Sequence, residues 1–236
     1  MGAHTRAPRR SSTGRPIIPF VPSQPRARAL MVVVALLGLA ALTSGCAGPP
    51  GTTVGFWFED VTYQSAALGG ALTEADLAQI RTIAMAEVQT AFAGLGIMVS
   101  TRQDARCRVR VVQEVPGTLV HSAANRPAGR SRTFPGGGGE GSVSFEFAAG
   151  GALVYAPAGA TREDMIAAIG RGTGRAAVHE ALHQLLPRAP IDRSKDASSY
   201  EYYTGARVEQ FYGPMSFDFA HAMLEQRYGR RAEGRR

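Results

Sequence analysis

The chain is short of cysteine. It has two among 236 residues, Cys46 and Cys107, and no C-x-x-C pair. Neither a disulfide framework nor a cysteine-based zinc site is available to it. Acidic residues are missing altogether from the first 45 positions, which hold six arginines: Arg6, Arg9, Arg10, Arg15, Arg26 and Arg28. Set those six aside, and the remaining 20 of the 26 basic residues face 19 acids. The formal charge of +7 therefore belongs to the leader, and no nucleic-acid partner is expected. No internal repeat and no Walker pattern occurs. The one low-complexity segment, FPGGGGEG (134–141), reads as a flexible loop within a long polar connection, 116–141.

What the leader does contain is RARAL followed by LMVVVALLGLAALTSG. Positive charge before an apolar run of this length reads as a signal sequence, and the run is too short for a confident membrane-spanning helix. It ends in LTSGC (42–46), which resembles the lipobox of bacterial lipoproteins. The resemblance implies cleavage before Cys46, lipid on its sulfur, and an extracytoplasmic domain tethered to a lipid bilayer in the cell envelope. Ala rather than Asp at position 47 implies the outer membrane in a Gram-negative cell. The chain then divides into a signal with a long basic start (1–45), a linker (46–52), one domain (53–228) and a basic tail (229–236). Cys107, left without a partner, is expected buried in a strand as a small apolar residue.

Within the domain, TVGFWFEDV reads as a strand. TEADLAQIRTIAMAEVQTAFAGLG (73–96) reads as a helix, with Thr73 and Asp76 as a capping box and Leu77, Ile80, Ala84, Val88 and Phe92 as its apolar stripe. GIMVST, CRVRVVQEV, SVSFEF (142–147) and GALVYAP read as four further strands, with Cys107, Val109 and Val111 on one face of the second. A helix follows from Thr161 to Pro187, its middle weakened or split by Gly170, Gly172 and Gly174. GARVEQFYG and SFDFAHAMLEQRYG read as closing helices. The expected class is α+β: a mixed sheet with a packing helix and an active-site helix.

That last long helix carries AAVHEALHQLLP (176–187), in which His179, Glu180 and His183 spell H-E-x-x-H. Residues four apart share a helix face, so the two imidazoles can meet one Zn²⁺. Glu180 follows the first His, so its carboxylate can reach a water in an open metal position and act as general base. Zinc needs a third protein ligand. Asp192, Asp196 and Glu201 are candidates, and His221 is one if the last helix folds back over the site.

The motif and the order of elements resemble the zincin metallopeptidases, and within them the metzincins, which read H-E-x-x-H-x-x-G-x-x-H before a Met-containing turn. Here Leu186 stands at the Gly position and Ala189 at that of the third His. The segment PRAPIDRSKDASSYEY matches with about three extra residues, which puts Asp192 in the third-ligand place and Tyr200 at the Met of the turn. Met215 is a second candidate for that Met. The resemblance implies a zincin-like fold, peptide binding along an edge strand (SVSFEF or ALVYA), and a tyrosine, Tyr200 or its neighbours Tyr202 and Tyr203, hydrogen-bonding an oxyanion. The function expected is a zinc-dependent peptidase of the envelope acting on a peptide or protein substrate. A non-catalytic lipoprotein of the same fold, binding a protein or cell-wall partner, is the alternative, and a wall amidase a third.

Overall fold

Apolar alternation is cleanest in CRVRVV, and that strand lies at the centre of the sheet. The computed structural model describes residues 52–115, 128–202 and 207–231. The strands are β1 (Thr52–Phe58), a two-residue hairpin of β2 (Gln64–Ser65) and β3 (Gly70–Ala71), β4 (Ile97–Ser100), β5 (Cys107–Val112), β6 (Gly129–Thr133) and β7 (Gly139–Ser144). Five of them form one sheet in the order β4-β1-β5-β7-β6. All its pairings are parallel except β6 with β7. The protein is thus mixed α/β with a mainly parallel sheet.

Cys107, Val109 and Val111 are buried as their alternation requires, and Cys107 is a free thiol whose pKa is raised by burial. Arg108 and Arg110 point to the opposite face, where they pair with Glu140 and Glu59. The buried face is covered by helices. α1 (Glu74–Ala91) starts with the Thr73–Asp76 capping box and buries Leu77, Ile80, Ala84 and Val88. α2 (Phe145–Val154) leads into α3 (Arg162–Leu185), which has its own capping box of Thr161 and Asp164. α3 lies across β5, β6 and β7 and packs on α1. Two short helices close the chain, α4 (Val208–Phe211) and α5 (Ala220–Tyr228). No helix among the described residues is long and apolar enough to cross a membrane.

Three expectations are corrected. SVSFEF is a strand only to Ser144; there the Ser144 hydroxyl accepts from Phe147 N at 3.2 Å and starts α2. That helix, which includes GALV, is buried on nearly every side (Phe145, Phe147, Ala148, Ala149, Ala152). Burial on nearly every side erases the period that separates helix from strand. The long polar connection, in turn, holds β6 and the start of β7. β6 (GRSRT) has no apolar alternation because it is an edge strand, with small residues inward and Arg130 and Arg132 outward. Finally, α3 is one unbroken helix. Its glycines are there for contact: a Cβ on Gly170 would lie 2.8 Å from Ile83 Cβ, and one on Gly174 2.7 Å from the Ala84 carbonyl oxygen of α1. The expected signal sequence (1–45), Cys46 and most of the expected linker, residues 116–127, Tyr203 and the end of the basic tail lie outside the described residues.

Candidate metal centre

His179, Glu180 and His183 sit in the last two turns of α3, and the chain beyond Leu186 turns back to bring Asp192 over them. Asp192 has φ 80°, the only positive φ at a non-glycine among the described residues. Aspartate tolerates this left-handed backbone better than most residues, at a cost the surroundings must cover. Its N–H donates to the Glu201 carbonyl at 3.1 Å. So held, its carboxylate faces both rings: Oδ1 is 3.0 Å from His179 Nε2 and Oδ2 is 3.5 Å from His183 Nε2. The two Nε2 atoms are 3.2 Å apart.

The chemistry of this donor set suits a cation. His179 Nδ1 lies 2.7 Å from the Tyr200 carbonyl oxygen. A carbonyl only accepts, so Nδ1 carries a proton, and in the neutral ring Nε2 offers a lone pair. That lone pair, a second imidazole and a carboxylate converge on one point. A tetrahedral metal at about 2.0–2.1 Å from each donor spaces them about 3.3 Å apart. The Nε2–Nε2 separation of 3.2 Å and the 3.0 Å from His179 Nε2 to Asp192 Oδ1 lie near that value. His179, His183 and Asp192 can therefore hold a metal ion, and they are accessible, their side chains 19%, 30% and 34% exposed.

Electrostatics follow from the same contacts. Burial acts to lower the pKa of His179, but the Asp192 carboxylate, the Glu180 charge and the Tyr200 carbonyl outweigh it and hold it above the usual value. Burial and the neighbouring His179 hold His183 below it. Asp192 stays low despite burial because both imidazoles favour its charged form. Glu180 is 5% exposed. Burial pushes its carboxyl up to about 7, against the pull of His179.

Glu180 reaches this position because β6 and β7 have almost no side chains where α3 crosses them. A Cβ on Gly129 would lie 2.5 Å from Glu180 Oε1, and one on Gly139 2.9 Å from Gln184 Cγ. The Ser131 hydroxyl donates to the Glu180 backbone carbonyl at 2.7 Å and accepts from Gln184 Nε2 at 3.1 Å. Gln184 also grips β5, accepting from Arg108 N at 2.9 Å and donating to Arg108 O at 3.1 Å. Sequence reasoning missed Gly129, Ser131 and Gln184. The signal available was glycine at alternate positions of a strand (Gly139, Gly141), which marks close approach by another element.

The remaining candidates lie elsewhere. Asp196 is a turn carboxylate that accepts from Ser198 N at 2.9 Å. Glu201 is fully buried and accepts from the N–H groups at the start of α5. His221 stands 4.0 Å from Glu225 on the exposed side of α5. Tyr200 was expected to present its hydroxyl to an oxyanion. Instead the hydroxyl is donated to Glu87 Oε1 at 3.1 Å, in a site 5% exposed, where burial raises its pKa. What Tyr200 gives the centre is its carbonyl. The Tyr202 ring stacks under Arg207, and Met215 is half-buried against the core. A cavity of about 520 Å³ lies by the start of β1 and the end of α5, lined by Arg106, Cys107, Leu186, Arg227 and Tyr228 among others, and none of the four motif and ligand residues lines it.

No family model, no curated protein and no solved structure matches this chain.

Proposed function

We propose that the protein is a zinc-dependent peptidase of zincin type, carried at the cell envelope by a lipid on Cys46. The observation that carries the reading is the convergence of His179, His183 and Asp192: the two Nε2 atoms are 3.2 Å apart, and the Asp192 carboxylate puts Oδ1 3.0 Å from one and Oδ2 3.5 Å from the other. Two imidazoles and one carboxylate on partly exposed side chains are the donor set of a catalytic zinc site, whose fourth position is left to water or substrate. When bound, zinc supplies Lewis acidity to a water and to a substrate carbonyl.

The chain's own residues do the rest. Tyr200 O and Asp192 fix the His179 ring. Glu180 is one residue from a ligand, shielded from bulk water by Gly129, and its carboxyl is poised near neutrality. It takes a proton from the attacking water and delivers it to the nitrogen of the leaving amine. The edge that supports a peptide substrate is β6, not SVSFEF or ALVYA as expected: β7 is paired on both sides and GALV is helical, whereas the outer side of β6 has no strand partner among the described residues and runs beside Glu180. A substrate strand would pair with that edge. The envelope address rests on the sequence of residues 26–46.

The test combines zinc content with hydrolysis of an unstructured protein such as casein. Wild type is expected to hold about one zinc per chain. His183→Ala and Asp192→Ala lose it, while Asp196→Ala and His221→Ala keep it. Glu180→Gln keeps zinc and loses hydrolysis by about 10²–10⁴-fold. Undiminished turnover in Glu180→Gln refutes the mechanism; zinc without hydrolysis in the wild type leaves a partner-binding protein.

A further inference from the structure

Two of the three donor residues are oriented by consecutive carbonyls. Tyr200 O accepts from His179 Nδ1 at 2.7 Å, and Glu201 O accepts from Asp192 N at 3.1 Å. The first fixes the ring plane and tautomer of His179. The second holds Asp192 in its left-handed backbone.

This dipeptide is itself pinned on both sides. The Tyr200 N–H donates to Ser216 O at 2.9 Å. Its phenol donates to Glu87 Oε1 on α1, and the same oxygen accepts from Arg175 Nε at 2.8 Å. Arg175 lies one turn before His179 on α3 and is 7% exposed. Its Nη1 donates to the carbonyls of Glu209 and Gly213 at 2.7 and 2.9 Å. On the other side, the Glu201 carboxylate is fully buried. It accepts from Ser199 Oγ at 2.8 Å and from Asp218, Phe219 and Ala220 N–H groups at 3.1, 3.0 and 2.6 Å. A carboxylate at the first turn of α5 is favoured by the exposed amides there.

We infer that Tyr200–Glu201 is the orienting platform of the metal centre, and that Glu87 and Arg175 are positioning residues that act through it. The inference rests on the metal-centre reading. A bland account is available, in which these buried polar groups merely satisfy one another. It leaves the aim of the two carbonyls unexplained: each ends on a different donor residue, from adjacent positions in the chain. Partners that orient a ligand imidazole set its basicity and geometry toward the metal, so loosening them weakens binding.

The test uses the full-length chain in detergent. Zinc affinity is measured by competition with a chromophoric chelator, the site is probed by the visible absorption of its Co²⁺ form, and thermal unfolding is followed without metal. Tyr200→Phe removes only the phenol oxygen; the carbonyl remains, and Glu87 keeps Arg175. It is expected to weaken zinc about tenfold and alter the Co²⁺ bands, with metal-free Tm close to wild type. Glu87→Gln, which retains an acceptor for the phenol, weakens zinc less than Glu87→Ala. Glu87→Ala added to Tyr200→Phe costs little more, because the link is already cut. Wild-type affinity and spectrum in Tyr200→Phe overturn the platform and leave the metal centre standing. A loss of affinity that merely follows a fall in metal-free Tm overturns it too. A wild type that binds no more zinc than His183→Ala overturns the metal centre, and this inference with it.

Discussion

Gly174→Ala sets two effects of known size against each other. In a free helix interior the change is favourable by about 1 kcal/mol, since glycine loses more backbone entropy than alanine. Here the new Cβ would lie 2.7 Å from Ala84 O, 2.7 Å from Glu87 Cβ and 3.1 Å from Ala84 Cα. Two of those atoms are α1 backbone and cannot rotate aside, so α1 must retreat from α3. That separates Ile80, Ala84 and Val88, all fully buried, from their partners. Overpacking of this kind costs about 1–3 kcal/mol. The net is a loss of about 1 kcal/mol, or about 2–4 °C in Tm for a domain of this size. Gly170→Ala is the parallel case. Its Cβ would lie 2.8 Å from Ile83 Cβ and 3.1 Å from the Ile80 carbonyl oxygen, both fixed by the α1 backbone. It should therefore cost a similar amount. Urea unfolding of the metal-free protein reads both. A Gly174→Ala protein about 1 kcal/mol more stable than wild type, as helix propensity alone dictates, would refute the packing argument.

Zinc affinity should fall with acidity, because protons compete for the histidines. Asp192 is already ionised, its pKa held low, while His179 keeps its proton to a higher pH than an ordinary imidazole. The decline should steepen toward about two log units per pH unit once both histidines protonate. Competition titrations from about pH 8 to about pH 5.5 check this, and a flat profile excludes histidine ligation. Gly129→Ala drives a methyl group into the Glu180 carboxylate, with 2.5 Å between Cβ and Oε1 before relaxation. Hydrolysis should drop at least tenfold with zinc content unchanged. Equal activity would mean that β6 yields freely at this point.

Several features were legible in the sequence because they are local. Capping boxes close within four residues, so Thr73–Asp76 and Thr161–Asp164 could be read directly, and both are present. The stripe of α1 and the alternation of β5 report a single buried face each. The spacing of His179 and His183 puts both on one helix face by helical geometry alone. What stayed illegible depends on distant partners. α2 is buried on nearly all sides and β6 is a polar edge, so neither has the period its conformation otherwise imposes. The three glycines of α3 read as weakness until α1 and Phe211 were seen against them. Asp192, Asp196, Glu201 and His221 are chemically comparable donors to zinc. Which of them meets the histidines is decided by a left-handed turn at Asp192 and a bond from its N–H to Glu201, while Glu201 is drawn to the start of α5. Sequence fixes which groups can bind a metal; only the closure of the chain, through non-local hydrogen bonds and packing, decides which of them converge.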